Sequence, residues 1–159
     1  MPIIELQCEI QAPVARVFDL SRSIDLHIVS TDQTGEQAIA GRTNGLIEDG
    51  EEVTWRARHF GIWQQLTSRI TAYDRPHHFR DSMVRGAFKR FDHDHYFTEN
   101  HNGTHVRDIF SFDAHLGALG VLASHLVLKS YMRRFLIRRN LTIKRVAESS
   151  EWQSNLSDV

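Results

Sequence analysis

Residues 121–148 read VLASHLVLKSYMRRFLIRRNLTIKRVAE, a stretch that contains neither Gly nor Pro. Nothing in it interrupts a helix, and such a helix would be roughly 40 Å long at about 1.5 Å per residue. One charged residue, Arg139, falls within a broad apolar stripe at helical spacing. The apolar members of that stripe are Leu128, Tyr131, Met132, Phe135, Leu136, Ile143, Val146 and Ala147. The sequence therefore predicts a long C-terminal helix that turns one face, with an arginine in it, toward a core.

The chain before this helix is typical of short strands. Alternation of apolar and polar residues over 4–10 indicates a half-buried strand. Pro13 follows, and the spacing of apolar residues predicts two short helices at 14–20 and 23–29. Further strands are predicted at 34–40, 51–60, 62–73, 78–85, 88–98 and 105–113. We expect a short loop bounded by Gly117 and Gly120 before the long helix.

The order of these elements indicates the fold class. Strands in succession followed by a terminal helix are typical of α+β proteins with an antiparallel sheet. No repeat or linker divides the chain, so we predict one domain over residues 1–148. The polar segment 149–159 is predicted to be a frayed tail in which Trp152 can dock on the surface.

Composition and charge argue against several classes of protein. The net charge of −1 gives no overall attraction to nucleic acid, and no nucleic-acid partner is predicted. Cys8 is the only cysteine, which excludes an internal disulfide and suits a reducing compartment. The N-terminus lacks the basic start and apolar core of a signal peptide, and no apolar run approaches the ~18 residues of a membrane span. We therefore predict a cytoplasmic protein.

Four segments together carry a family resemblance. They are VARVFD after Ala12-Pro13, GEEVTWRARHF at 50–60, TSRITAYDRPHHF at 67–79 and YMRRFLIRRNLTIKRVAE at 131–148. With them, over about residues 3–148, the chain resembles small bacterial ligand-binding members of the START-like, Bet v 1-like (SRPBCC) superfamily. That superfamily is often grouped as polyketide cyclases/dehydrases and lipid-transport proteins. The resemblance implies a helix-grip fold, in which a seven-stranded antiparallel sheet curves around the C-terminal helix and leaves an elongated cavity.

The glycine-rich segment GRTNGLIEDG at 41–50 allows two interpretations. It is either a flexible hairpin with Leu46 and Ile47 as a buried pair, or a mobile lip, with the same pair, at the mouth of the cavity. The segment matches the glycine-rich loop of plant members of the superfamily only loosely.

Polar side chains interrupt the strand faces that we expect to point toward the helix. They are His59, Asp81, His93, His95 and Asp108, and Arg139 points back at them from the helix. Because unpaired polar groups are costly to bury, this set indicates either a closed structural network or a cavity that orients the polar end of a ligand. The predicted ligand-binding residues are Trp55, His59, Asp81, Met83, Phe91, His93, His95, Asp108, Phe110, Met132, Phe135 and Arg139.

Binding, or transport, of a small apolar, lipid-like or aromatic ligand is the favoured function. The alternative is a cyclase or dehydratase acting on a polyketide-like substrate, with His93 and Asp108 as a base and Arg139 stabilising an enolate-like oxygen. A third possibility for these residues is metal binding by His93 and His95, which share one side of a strand, completed by Asp108 or His59. The favoured prediction includes no cofactor and no metal ion.

The opposite side of the long helix carries a basic face around Ile137 and Leu141. This face is either solvated, with long side-chain stems covering apolar surface, or it contacts anionic lipid headgroups or an acidic partner. The second interpretation makes the chain an interaction module. Its predicted contact residues are Arg133, Arg134, Arg138 and Arg145.

Overall fold

The structure, a computed structural model, describes residues 2–114 and 121–157, and within the C-terminal helix it describes side chains from residue 126 onward. The loop predicted at Gly117 and Gly120 lies outside the described residues. Seven strands of the described chain form one antiparallel sheet in the order β1-β7-β6-β5-β4-β3-β2. They are β1 (Ile3–Ile10), β2 (Gln37–Gly41), β3 (Glu52–His59), β4 (Ile62–Asp74), β5 (His78–Arg85), β6 (Arg90–Asn100) and β7 (Gly103–Asp113).

Helices cover one face of this sheet. Within the described ranges they are α1 (Val14–Ser21), α2 (Ile24–Ser30), α3 (Val121–Glu148) and α4 (Trp152–Leu156). Pro13 stands directly before α1, where its ring removes no helical hydrogen bond. The Ser23 hydroxyl accepts a hydrogen bond from the backbone N–H of Leu26 at 3.2 Å and caps α2. The predicted α+β architecture, with a seven-stranded antiparallel sheet and a long C-terminal helix, is therefore confirmed.

Alternation along the strands sends one face of the sheet toward α3. On the outer face, Arg107 of β7 pairs with Glu5 of β1 at 2.7 Å. On β6, His93 and His95 are buried, so the side chains predicted to point inward do so. The buried side chains of β7 are Thr104, Val106, Asp108, Phe110 and Phe112.

The core consists of two apolar clusters that follow one another along α3. Phe18 of α1 lies at the centre of the first, with ring centroids 5.4 Å from Phe79 and 5.3 Å from Phe97. Between the parts of α3 that serve the two clusters lie Arg139 and Asn140, both buried. The first cluster includes Ile143, Val146 and Ala147, and the second includes Phe91, Phe110, Phe112, Met132 and Leu136. A polar layer therefore separates two apolar layers beneath the helix.

Two local predictions need correction. The tail predicted to be frayed forms α4, because the guanidinium of Arg16 stacks on Trp152 at 4.1 Å from the ring centroid and fastens the segment to α1. The strand predicted at 34–40 begins at Gln37, because Asp32–Thr34 form a short 3-10 helix that ends at Gly35 with a φ of 59°.

The glycine-rich loop at 41–50 is closely attached to the core. Leu46 and Ile47 are 8% and 5% exposed. The backbone N–H of Ile24 donates to the Gly45 carbonyl at 2.9 Å, and that of Ile47 donates to the Arg22 carbonyl at 3.2 Å. These contacts favour the interpretation as a hairpin with a buried pair over a mobile lip.

Candidate functional site

A cavity of about 300 Å³ lies between the inner face of the sheet and α3. Its volume is at the lower end of the range typical of small-molecule sites. Its walls are mainly apolar and aromatic, with Trp55, Leu66, Phe79, Phe91, Phe110 and Phe135 among the lining residues. The space that the sequence predicts between sheet and helix is therefore present.

The cavity opens at the end where the β3–β4 and β5–β6 turns lie. Phe60 and Ala87, one in each turn, line the cavity and are also exposed. The ring of Phe60 lies 4.6 Å from that of Tyr131 on α3, and the Tyr131 hydroxyl is hydrogen-bonded to Nδ1 of His59 at 2.7 Å. Phe60 has a φ of 51°, a left-handed conformation that is uncommon for a bulky side chain. Aromatic side chains from a turn and from α3 thus border the mouth.

Asp81, His93, His95 and Asp108 form a compact cluster on β5, β6 and β7. Nδ1 of His95 donates to Oδ1 of Asp108 at 2.6 Å, and Nε2 of His95 lies 3.3 Å from Oδ1 of Asp81. His93 lies beside them, with Nδ1 3.7 Å from Asp81 Oδ1 and Nε2 3.8 Å from Asp108 Oδ1. His95 is therefore held between two carboxylates, whereas His93 is near both and hydrogen-bonded to neither.

Side chains of α3 complete this cluster. Asn140 donates a hydrogen bond through Nδ2 to Oδ2 of Asp108. Arg139 donates through Nη2 to the Ser21 carbonyl at 2.8 Å and through Nη1 to Oδ1 of Asn140 at 3.4 Å. The buried arginine is thus satisfied by hydrogen bonds to neutral oxygens, while it also lines the cavity.

Burial and pairing set the charges of the cluster. Burial, helped by the neighbouring His95, lowers the pKa of His93 to about 3, so this imidazole is neutral at neutral pH. Burial opposes the charge of Asp108, but attraction to His95 and the hydrogen bond from it hold the pKa of Asp108 well below its usual value. Burial would lower the pKa of His95, but the same carboxylate, with Asp81, raises it.

A second polar group borders the same cavity. The His27 ring stacks on Trp55 with centroids 4.2 Å apart, and its Nε2 lies 3.4 Å from Oε2 of Glu36. Burial opposes the charge of Glu36, but attraction to His27 holds the pKa of Glu36 below its usual value. Apart from this contact with each other, neither Nε2 of His27 nor Oε2 of Glu36 has a hydrogen-bond partner among the described residues. This pair therefore places a second polar contact at the cavity wall.

Most of the predicted ligand-binding residues line the cavity. These are Trp55, His59, Asp81, Phe91, His93, His95, Phe110, Met132, Phe135 and Arg139. Met83 instead packs against the second apolar cluster, and Asp108 lies behind His95. Of the predicted lip, Ile47 lines the cavity, whereas Leu46 is buried elsewhere. The structure thus brings these side chains together, and their role in binding stays a prediction.

Four polar side chains of this region were not predicted from the sequence patterns. They are His27, Glu36, the Tyr131 hydroxyl and Asn140. Periodicity contained a signal for Asn140, which lies four residues after Leu136 and three before Ile143, on the buried stripe. Helix α2 has seven residues, too few for a clear stripe, and Glu36 precedes β2. No comparable signal marks His27 or Glu36.

The basic face of α3 is exposed, as the sequence predicts. Ile137 and Leu141 are 36% and 60% exposed. Arg145 pairs with Glu151 at 2.5 Å, and Arg133 donates to the backbone carbonyl of Glu5 at 3.5 Å. Arg134 and Arg138 are also exposed.

Solved structures of low sequence identity share this architecture. TTHA0849 from Thermus thermophilus superposes with a TM-score of 0.69 at 18% identity, covering 89% of this chain and 97% of that chain. The ginseng major latex-like protein 151 from Panax ginseng gives a TM-score of 0.64 at 16% identity, covering 92% of this chain and 97% of that chain. Ara h 8.0201 gives a TM-score of 0.58 at 12% identity, covering 89% of this chain and 97% of that chain. The chain has the Bet v 1-like helix-grip fold.

Identities this low show the Bet v 1-like fold alone. No protein-family model matches the chain, and no curated protein matches its sequence. Within residues 2–114 and 121–157, no helix combines the length and hydropathy needed to cross a bilayer. A cytoplasmic location stays a prediction from the sequence.

Proposed function

We propose that this chain binds a small, mainly apolar ligand, lipid-like or aromatic, in the cavity between the sheet and α3. The observation that carries the proposal is an apolar cavity whose wall contains buried polar side chains that are incompletely hydrogen-bonded. Among the described residues, Nε2 of His93 has no hydrogen-bond partner, and Nε2 of His27 and Oε2 of Glu36 pair only with each other, at 3.4 Å. All three residues line the cavity. Buried polar atoms are nearly always paired, so a ligand with a polar end accounts for them, and the aromatic walls suit its apolar body.

Filling the cavity tests this proposal directly. Ala57 is buried on β3 and lines the cavity, whereas Val84 is 48% exposed on β5. The probe is the neutral fluorescent compound N-phenyl-1-naphthylamine, and native mass spectrometry checks for ligand that co-purifies. Ala57→Phe should weaken probe binding at least about tenfold, because a phenyl ring occupies the space that the probe needs, and Val84→Phe should bind like the wild type.

The stability of the same variants supplies the second readout. A larger side chain in a fully packed core typically lowers the free energy of unfolding by ~1–3 kcal/mol. If the phenyl ring of Ala57→Phe enters an existing cavity, the loss of stability should be smaller. Equal probe affinity of Ala57→Phe and the wild type would contradict the proposal. So would a wild type that binds no probe and carries no ligand after gentle purification.

The cyclase or dehydratase alternative has less support from the geometry. Asp108 lies behind His95, and Arg139 directs Nη2 at the Ser21 carbonyl. Of the three candidate catalytic residues, His93 and Arg139 line the cavity, while the carboxylate would have to act through a histidine. Turnover of a polyketide-like compound by the wild type would favour this alternative over simple binding.

The interaction-module alternative places an anionic membrane or an acidic partner on the basic face of α3. The exposed pair Ile137 and Leu141 would enter the interface, and Arg134 and Arg138 would contact the headgroups. Flotation with phosphatidylglycerol vesicles at low and moderate salt tests it, with Arg134→Glu/Arg138→Glu as the matched variant. Absence of binding at low salt would remove this alternative.

A further inference from the structure

Three side chains of the cluster converge on one point of the cavity wall. Asp81, His93 and His95 each offer one ligand-capable atom, and these atoms all lie within 4.8 Å of one another. The sheet creates this arrangement, because Asp81 on β5 is directly opposite His93 on β6, and His95 follows two residues later on the same face. All three residues line the cavity.

The two distances from Asp81 to the histidines are close to those between the ligands of a tetrahedral metal ion. Zinc binds histidine nitrogen and carboxylate oxygen at about 2.0–2.2 Å, which separates neighbouring ligand atoms by roughly 3.3–3.5 Å. Oδ1 of Asp81 is 3.3 Å from Nε2 of His95 and 3.7 Å from Nδ1 of His93. Both distances from Asp81 are therefore within a few tenths of an ångström of the tetrahedral value, and the two histidine nitrogens lie within 4.8 Å of each other.

Asp108 lies where a supporting carboxylate is needed. Metal-bound histidines usually donate their other ring N–H to a carboxylate or carbonyl, which fixes the tautomer and the ring orientation. Oδ1 of Asp108 accepts from Nδ1 of His95 at 2.6 Å and lies 3.8 Å from Nε2 of His93. This leaves Nε2 of His95 and Nδ1 of His93 for an ion, both on the side of Asp81.

A purely structural network explains only part of this arrangement. The carboxylates of Asp108 and Asp81 are hydrogen-bond partners of Nδ1 and Nε2 of His95, respectively. They leave Nδ1 of His93, the atom on the side of the proposed ion, 3.7 Å from Oδ1 of Asp81 and beyond hydrogen-bond distance of it. An ion at Nε2 of His95 would take the place of the contact between that nitrogen and Oδ1 of Asp81, which are 3.3 Å apart.

We propose that Asp81, His93 and His95 bind a divalent first-row transition-metal ion, zinc above all, with Asp108 orienting His95 and the fourth coordination position open to the cavity. Two imidazoles and one carboxylate with an open position form a ligand set that suits zinc. The site extends beyond the proposed binding of an apolar ligand, and it can be tested without knowing that ligand.

Titration of the chelator-treated protein with Zn²⁺ by isothermal calorimetry tests the site. The wild type should bind one ion per chain tightly. His93→Ala and Asp81→Asn should each lose more than the roughly 10- to 100-fold that removal of a supporting residue costs, and Asp108→Asn should lose an amount within that range. His78→Ala is the matched control, because His78 pairs with Asp94 at 2.7 Å, on the same two strands, outside the trio. It should bind zinc like the wild type.

Cobalt absorption supplies a readout that does not depend on the stability of the variants. Co²⁺ added to the wild type should give the intense visible bands of tetrahedral coordination, and excess Zn²⁺ should remove them. Circular dichroism shows whether each variant is folded. The proposal is overturned if the wild type gives no such bands. It is also overturned if the variants His93→Ala and Asp81→Asn fold and bind zinc as tightly as the wild type. That result would mean that the ion binds to histidines at the surface.

Discussion

Asn140 on α3 donates a hydrogen bond to Oδ2 of Asp108 on β7, in the polar layer between the two apolar clusters. The other oxygen of Asp108 accepts from His95 at 2.6 Å. Asp108 is 1% exposed, so water cannot replace either donor. The Asp108 carboxylate thus links Asn140 of α3 to His95 of β6. This link helps to hold α3 in position over the cavity.

Asn140→Ala should destabilise the fold. Removal of the amide leaves Oδ2 of Asp108 buried without its donor, which costs ~1–3 kcal/mol and more when the group is charged. Urea denaturation at neutral pH measures the change, and Asn102→Ala, in the exposed turn between β6 and β7, should stay within ~0.5 kcal/mol of the wild type. Equal losses in the two variants would contradict the role assigned to Asn140.

Asp19→Asn should change the stability of the protein in a pH-dependent way. Asp19 accepts from Arg75 at 2.6 Å and from Arg22 at 2.9 Å. Burial opposes its charge, but these hydrogen bonds hold the pKa of Asp19 below its ordinary value of 3.8. A lowered carboxyl pKa stabilises the folded state above the unfolded pKa, and this contribution is lost as the pH falls through the folded pKa.

Asp19→Asn should therefore be less stable than the wild type at neutral pH, and the difference should shrink below about pH 4. Urea midpoints at neutral pH and at about pH 3 measure it. Asp49→Asn, which alters an exposed carboxylate in the loop before β3, should track the wild type at both pH values. A difference that stays constant over this range would show that the ion pairs do not cause the effect.

Phe60→Gly should speed the exchange of a cavity probe. Glycine adopts a φ of 51° without strain, and the change removes the ring that contacts Tyr131 at the mouth. We expect a several-fold faster release of N-phenyl-1-naphthylamine in stopped-flow displacement, with the fold retained. Ile62→Ala, which alters a 65% exposed residue of the same hairpin that does not line the cavity, should release the probe at the wild-type rate. Unchanged release from Phe60→Gly would argue against this position of the mouth.

Arg139→Met should show whether Arg139 binds the polar end of a ligand or only fills space in the core. The change removes the charge at the cavity wall while an unbranched side chain still fills the space. Affinity for the anionic probe 1-anilinonaphthalene-8-sulfonate should fall about tenfold, the size of one charge-assisted hydrogen bond, and affinity for the neutral N-phenyl-1-naphthylamine should change little. Arg138→Met, on the exposed side of α3, is the control. A parallel loss for both probes would assign Arg139 a structural role only.

Local periodicity predicted much of the fold. Alternation along β3, β5, β6 and β7 was enough to identify the side chains that face α3, and helical spacing was enough to place Arg139 in the buried stripe. These signals are local, because successive side chains of a strand point to opposite faces and helical neighbours recur every three or four residues. The tail helix α4 was missed because its stability comes from the contact of Trp152 with Arg16, which are far apart in the chain.

The sequence by itself determined the order of the elements, the long C-terminal helix and the inward face that carries His93, His95 and Asp108. Only the tertiary structure decided which of these groups meet. The register of β5, β6 and β7 sets Asp81 opposite His93 and His95 opposite Asp108, so that one carboxylate faces the cavity and the other lies behind His95. Strand pairing is a non-local choice that alternation does not encode, and the cavity itself exists only because the curved sheet and α3 do not close completely upon each other.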